Sequence, residues 1–187
     1  MKYFLYARKS TDTEDKQVLS IQSQLTEVRE YAKKENLVIV QEFQEAKTAK
    51  SPGRPIFNEM IKRIEKGEAS GIISWHPDRL ARNSIDGGKI IYLVDTGDLL
   101  DLRFPTYRFD NSAQGKFMLN IIFGQSKYYV DNLSENTKRG LREKVRLGEY
   151  PAFAPIGYLN DKGKIAIDPA TSPLVQKLYA LCAEGRY

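Results

Sequence analysis

The sequence predicts an α/β domain in which a mostly parallel sheet carries helices on both faces. Two observations predict it. Short apolar or β-branched runs alternate with amphipathic helical patterns between residues 2 and 104, the order that builds a parallel sheet. Polar stretches bearing Gly or Pro stand where each run must stop.

Lys2-Tyr3-Phe4-Leu5-Tyr6-Ala7 is aromatic and apolar enough for a buried strand, and a polar run from Arg8 to Lys16 follows it. Ile21, Leu25, Val28 and Ala32 recur at helical spacing, so a helix is expected from Ser20 to Lys34, with Ser20 as N-cap and Asn36 as its stop. Leu37-Val38-Ile39-Val40 reads as a strand from its β-branched run. Residues 46–54 hold small residues, a Pro-Gly pair and three cations, and read as a loop. Pro55 suits the first turn of a helix whose Phe57, Met60, Ile61 and Ile64 share a face and which Gly67 closes. Gly71 to Trp75 is a third strand, ended by His76-Pro77. A helix over 85–96, a strand over 99–104 and a loop over 105–112 complete the pattern.

From Gln114 to Gly148 the style changes. Met118, Ile121, Ile122, Gln125, Tyr129, Leu133, Leu141 and Val145 keep a three-four spacing without a proline, which predicts one long helix that projects beyond a small domain. Its distal part gathers Lys138, Arg139, Arg142, Lys144 and Arg146 against Glu143, a charge pattern suited to DNA phosphates or to a solvated helix end. A turn-rich segment over 148–158, a strand over 164–167 and a helix over 172–183 follow. The expected division is 1–113 for the sheet-bearing part, 114–148 for the long connecting helix, and 149–187 for the beginning of a small α+β second domain, a segment too short for a core of its own.

Composition narrows the function. The chain of 187 residues has a net charge of +5, compatible with a polyanionic partner. One cysteine, Cys182, gives no internal disulfide and suits a reducing cytoplasm, and one histidine, His76, offers no His-rich metal site. No apolar run approaches membrane-spanning length, and no signal peptide is evident, so no membrane partner is expected.

In open α/β sheets ligands bind at the carboxyl ends of the strands. The loops over 8–16, 46–54 and 76–83 all leave one edge of the expected sheet, and each carries arginine or a hydroxyl. Attack on a phosphodiester requires a nucleophile in line with the leaving oxygen and cations on the phosphate. Ser10 supplies the first, and Arg8, Arg79 and Arg82 the second; Arg79 and Arg82 are three apart and would share a face if a helix begins near Asp78.

Tyr6-Ala7-Arg8-Lys9-Ser10, then Ser20-Ile21-Gln22-Ser23-Gln24, then Asp78-Arg79-Leu80-Ala81-Arg82, together resemble the catalytic domain of the serine site-specific recombinases, the resolvase and invertase family. The resemblance covers about residues 1–147, and the remainder resembles the start of the extra DNA-binding domain of the large members. It implies a resolvase-like catalytic domain that cuts, exchanges and rejoins double-stranded DNA through a covalent 5′-phosphoserine link. It implies no cofactor and no metal, and dimers that pair into a tetramer, with an accessory directionality factor as a further partner. By position it makes Ser10 the nucleophile, puts Arg8, Arg79, Arg82 and Asp78 around the scissile phosphate, and makes Tyr6, Gln22, Thr48 and Arg54 supporting or bordering residues. Thr48 departs from the serine of well-known members, and Asn136 stands after Glu135 where small resolvases have an arginine. Lys138, Arg139, Arg142 and Arg146 are the expected DNA contacts, and Met118, Ile121, Ile122 and Tyr129 the expected oligomerisation stripe. Two other readings compete: a metal-dependent nuclease or phosphatase using Asp12, Glu14 and Asp15, and a DNA-binding regulator on a degenerate recombinase domain.

Overall fold

The computed structural model describes residues 1–9, 20–161 and 163–185. Contacts divide the chain into two compact units, Met1–Asp131 and Asn132–Tyr187.

The first unit is built on a five-stranded sheet of order β2-β1-β3-β4-β5. β1 (Lys2–Arg8) pairs in parallel with β2 (Val38–Glu45) on one side and with β3 (Gly71–Ser74) on the other. β4 (Asp101–Phe104) continues the parallel set, and the two-residue β5 (Tyr107–Arg108) turns back against it. Side chains alternate across the sheet, so β1 feeds two cores. Phe4 and Tyr6 join Ile72 and Leu102 beneath three helices, α2 (Pro55–Glu65), α4 (Ser84–Thr96) and α5 (Ala113–Arg146). Tyr3, Leu5 and Ala7 pack with Ile73 against Leu25, Val28 and Ala32 of α1 (Ile21–Lys34) on the other face. This is the α/β architecture that the alternating pattern predicts.

Local signals explain most boundaries. The Ser20 side chain accepts the Ser23 N–H and starts α1, and Asn36 takes a left-handed φ of 54° just beyond its end. Pro55 opens α2, and Gly67 follows it at φ 74°. β2 runs five residues further than Val40, to Glu45, because it lies at the sheet edge and pairing with β1 extends through Arg8 and Glu45. Gln41, Glu42 and Gln44 have no apolar signal, yet an edge strand tolerates polar side chains. β5 lies inside the segment expected to be a loop, since two residues paired to β4 are too few for a periodic signal.

Helix α5 is continuous, but its core-facing residues are Leu119 and Phe123, absent from the periodic set read from sequence. Phe123 lies over α4, where a Cβ on Gly87 would stand 3.3 Å from its ring; the missing side chain permits the approach. Near the start of α5, Gly115 is pressed against the Asp110 carbonyl so closely that no other residue fits. Met118 and Tyr129 are exposed, and Ile121 and Ile122 are half-buried.

In the second unit β6 (Tyr158–Asp161) and β7 (Lys164–Ile167) form an antiparallel hairpin, followed by α6 (Ser172–Ala183). Lys138, Arg139, Arg142 and Arg146 are exposed on the distal half of α5. Among the described residues, no helix is long and apolar enough to cross a membrane.

The two faces of α5 differ in what a truncation costs. Leu119→Ala is expected to lower stability by about 2–5 kcal/mol, as for a buried leucine, and Tyr129→Ala by no more than about 0.5 kcal/mol in the monomer. Denaturant unfolding of both variants at low protein concentration checks this, and equal losses would contradict the assignment of faces.

Candidate active site at the carboxyl edge of the sheet

Parallel pairing brings the ends of β1, β2 and β3 to one edge, with Arg8 level with Glu45 and Tyr6 level with Ser74. β3 gives way to the single turn α3 (Pro77–Leu80), whose N-cap His76 sets Nδ1 3.2 Å from the Asp78 backbone N and 3.0 Å from Asp78 Oδ1, where it accepts the N–H in one tautomer and donates to the carboxylate in the other. This turn carries Asp78 and Arg79, and Arg82 follows it.

Arg8 is fully buried. Its Nε donates to the Arg79 carbonyl at 3.3 Å, while Nη1 and Nη2 are buried with no hydrogen-bond partner among the described residues. Its backbone carbonyl accepts from Nε2 of Gln24, another buried polar residue, at 3.1 Å. Burial, with the like charges of Arg79 and Arg82, lowers the Arg8 pKa to about 10. The group stays protonated at neutral pH, so a cation is held out of water with two donors unused. An anion seated there would satisfy both, and would favour the charged form.

Asp78 balances the remaining charge. Arg79 donates to its two oxygens at 3.1 and 2.9 Å, Arg82 donates at 2.9 Å, and the His76 ring lies 3.0 Å away. Burial pushes the Asp78 carboxyl up, but the His76 hydrogen bond and the charges of Arg79 and Arg82 outweigh it and hold the group well below the usual carboxylate range. The helical face expected for Arg79 and Arg82 is not what unites them. α3 ends at Leu80, and Ala81 is extended at φ −146° and ψ 139°, so Arg82 leaves the helix. Proline at its start and the extended residue at its end limit α3 to one turn, and the shared carboxylate brings the two guanidinium groups together.

Beneath this layer lies Arg54, fully buried at the N-cap of α2. It donates to the Tyr6 hydroxyl at 2.8 Å, to Asp86 at 2.9 Å, to the Arg79 carbonyl at 3.4 Å and to the Leu80 carbonyl. Its guanidinium also lies 4.0 Å from the Phe57 ring centre. Tyr6 is therefore a buried buttress whose hydroxyl burial pushes well above its ordinary pKa, despite the opposing charge of Arg54. Thr48 is half-buried and turns its own loop by accepting the Lys50 N–H at 3.2 Å. Gln22 is exposed on the first turn of α1. Ser10 lies outside the described residues, as do Asp12, Glu14 and Asp15.

Four further residues build the edge without having been singled out in the sequence: Gln24, Glu45, Asn83 and Asp86. The Glu45 carbonyl accepts the Lys9 N–H at 2.9 Å, and its carboxylate accepts the N–H groups of Lys47 and Ile56. Asn83 and Asp86 had a legible signal, since Asn at the N-cap with an acid three residues on marks a helix start. Gln24 and Glu45 had none, because their partners are distant in sequence.

The fold is an α/β domain that gathers arginines around one carboxylate at the carboxyl ends of its strands. Residues 3–150 match the family described as resolvase, N terminal domain. The chain belongs to the resolvase family of serine site-specific recombinases, enzymes that recombine DNA in an oligomeric synapse. Among solved structures, the N-terminal catalytic domain of TP901-1 integrase is similar in fold, with a TM-score of 0.52, 23% identity, and coverage of 71% of this chain and 98% of that one. A resolvase family site-specific recombinase from Streptococcus pneumoniae gives a TM-score of 0.49 at 25% identity, covering 78% of this chain and 99% of that one. Comparison with curated proteins gives no match.

If the Arg8 donors are an anion site, inorganic sulfate should raise the melting temperature above that in chloride of equal ionic strength. At ten times its Kd the gain is about 1.4 kcal/mol. Arg8→Met should remove the sulfate-specific part; an equal sulfate effect in that variant would show that the ion acts elsewhere. Asp78 adds an acid-side dependence. Its pKa is depressed in the folded state, so its contribution is full above the ordinary value of about 4 and is lost as pH falls through the folded value. Melting curves of Asp78→Asn should therefore lack part of the wild-type loss of stability below about pH 4.

Proposed function

We propose that Ser10 is the nucleophile of this recombinase and that Arg8, Arg79 and Arg82 bind the scissile phosphate, with Asp78 fixing the last two. The guanidinium donors of buried Arg8 carry this reading, because Arg8 stands two residues before Ser10 and its two terminal nitrogens have no partner among the described residues. In the step proposed, Ser10 Oγ loses its proton and attacks phosphorus; the bond to the 3′ oxygen breaks, and that oxygen takes a proton. The 5′ phosphate is left esterified to serine, so the reverse attack by a 3′ hydroxyl of the partner strand reseals DNA without an energy source. Arginines suit the developing charge because each planar fork reaches two phosphate oxygens.

The proposed division of labour follows the expected domains: residues 1–113 for chemistry, 114–148 for connection and oligomerisation, and 149–187 for further DNA binding. Exposed Lys138, Arg139, Arg142 and Arg146 support a DNA-facing distal helix, and the exposed or half-buried Met118, Ile121, Ile122 and Tyr129 support self-association. Dimers pairing into a tetramer would cut two duplexes together. Tyr6 and Arg54 act from beneath the site, and Gln22 and Thr48 border it. The proposed setting is the cytoplasm, and an accessory factor would set the direction of the reaction.

Ser10→Ala should abolish covalent attachment to DNA and leave DNA binding nearly unchanged, since it removes a hydroxyl and no charge. Denaturing gels of protein mixed with a random-sequence duplex pool read the adduct; a persistent adduct in this variant refutes the nucleophile. Arg79→Lys should lower attachment at least tenfold, because an ammonium cannot hold Asp78 and phosphate through one planar fork. Attachment at the wild-type level would exclude that role.

A further inference from the structure

The arginine turn is held from below by a polar hub whose other members come from the start of α4. Asp86 accepts from Arg54 at 2.9 Å and from Asn83 Nδ2 at 2.7 Å. Asn83 Oδ1 accepts the Asp86 N–H at 2.9 Å, and Nδ2 also donates to the Ala49 carbonyl at 3.0 Å. Arg54 in turn donates to the carbonyls of Arg79 and Leu80 and to the Tyr6 hydroxyl. Four segments meet here: β1 through Tyr6, the 46–54 loop through Ala49, the arginine turn through its carbonyls, and α4 through its cap.

Arg54, Asn83 and Asp86 are all buried, and the charges of Arg54 and Asp86 face each other away from solvent. Such a hub is a costly way to gain stability, because desolvation consumes much of what an ion pair returns. It is an effective way to fix geometry. Two carbonyls at the end of a one-turn helix have no partners within that helix, so their direction depends on an external donor. Arg54 supplies a donor to both, sharing the Arg79 carbonyl with Arg8 Nε, and Asp86, itself held by Asn83, fixes the position of the Arg54 guanidinium. A small shift of this turn would carry Arg79 and Arg82 off the phosphate, where misplacement is expensive in rate.

We propose that Asp86 and Asn83 are positioning residues for the recombination reaction: through Arg54 they hold the Arg79 to Arg82 segment, and through Ala49 they lock it to the 46–54 loop. The proposal rests on the assignment of the arginines to the scissile phosphate. It predicts that the network sets the rate of strand attack and not the affinity for DNA.

The test separates stability from chemistry. The double variant Arg54→Met, Asp86→Leu replaces the buried pair by apolar side chains of similar bulk, a change that other buried ion pairs tolerate in stability. Asn83→Ser keeps a capping oxygen for Asp86 N–H and loses both amide donors. Each variant, the wild type and Ser10→Ala are compared by thermal unfolding, by binding to a random-sequence duplex pool, and by covalent attachment to the same pool. The expected result is near-wild-type melting and binding, with attachment at least tenfold lower in both hub variants. Wild-type attachment in a folded hub variant overturns the proposal. Loss of the fold in both also overturns it, since the network would then hold the domain and not the arginine turn. Attachment by Ser10→Ala, or none by the wild type, counts against the nucleophile instead and is distinguished by the control lanes.

Discussion

The ion pair between Arg54 and Asp86 is the constraint on which the active edge depends. Each side chain is buried, so neither charge is compensated by water, and removing one alone would strand the other at about 3–5 kcal/mol. Because Arg54 also donates through its two terminal nitrogens to Tyr6 and to two carbonyls of the arginine turn, the pair ties β1, α2, α3 and α4 into one arrangement. The sheet brings the strand ends together; this pair decides how the chain leaves them.

Above it, three arginines share the edge with one carboxylate. Asp78 neutralises part of Arg79 and Arg82, which keeps two like charges close without an anion. Arg8 has no carboxylate hydrogen-bonded to it among the described residues: it is buried with two donors unpartnered there, and burial and the repulsion of Arg79 and Arg82 outweigh the attraction of Asp78 in lowering its pKa. A phosphate diester would meet unsatisfied donors that are already oriented, so little reorganisation accompanies binding. The same logic explains why three arginines, and no surface-flexible lysine, occupy these places.

Helix α5 shows how one element serves two surfaces. Leu119 and Phe123 fasten its beginning to the main core, and the approach over Gly87 allows it. Met118 and Tyr129 lie on other parts of its surface, and the distal arginines stay in solvent. Apolar spacing alone left the rotation of this helix undecided, because its first half is apolar on more than one face. Only the shape of the groove beside α4 selects Leu119 and Phe123 for burial.

The sequence by itself determined the order of elements, since periodicity, Ser20, Pro55, Asn36 and Gly67 are local signals that act within a few residues. It also brought Arg8, Arg54, Arg79 and Arg82 to one edge, because the carboxyl ends of parallel strands must lie together. What only the tertiary structure decided was each arginine's task. Arg8 and Arg54 look equally exposed as sequence, yet among the described residues the two terminal nitrogens of Arg8 have no partner while both of those of Arg54 are taken up in a hub, a difference set by partners up to 71 residues away. The same distance hid Gln24 and Glu45, whose roles exist only once β1, β2 and α1 are side by side. Local chemistry chooses the elements; desolvation, which depends on what packs above each side chain, chooses which charge remains for the substrate.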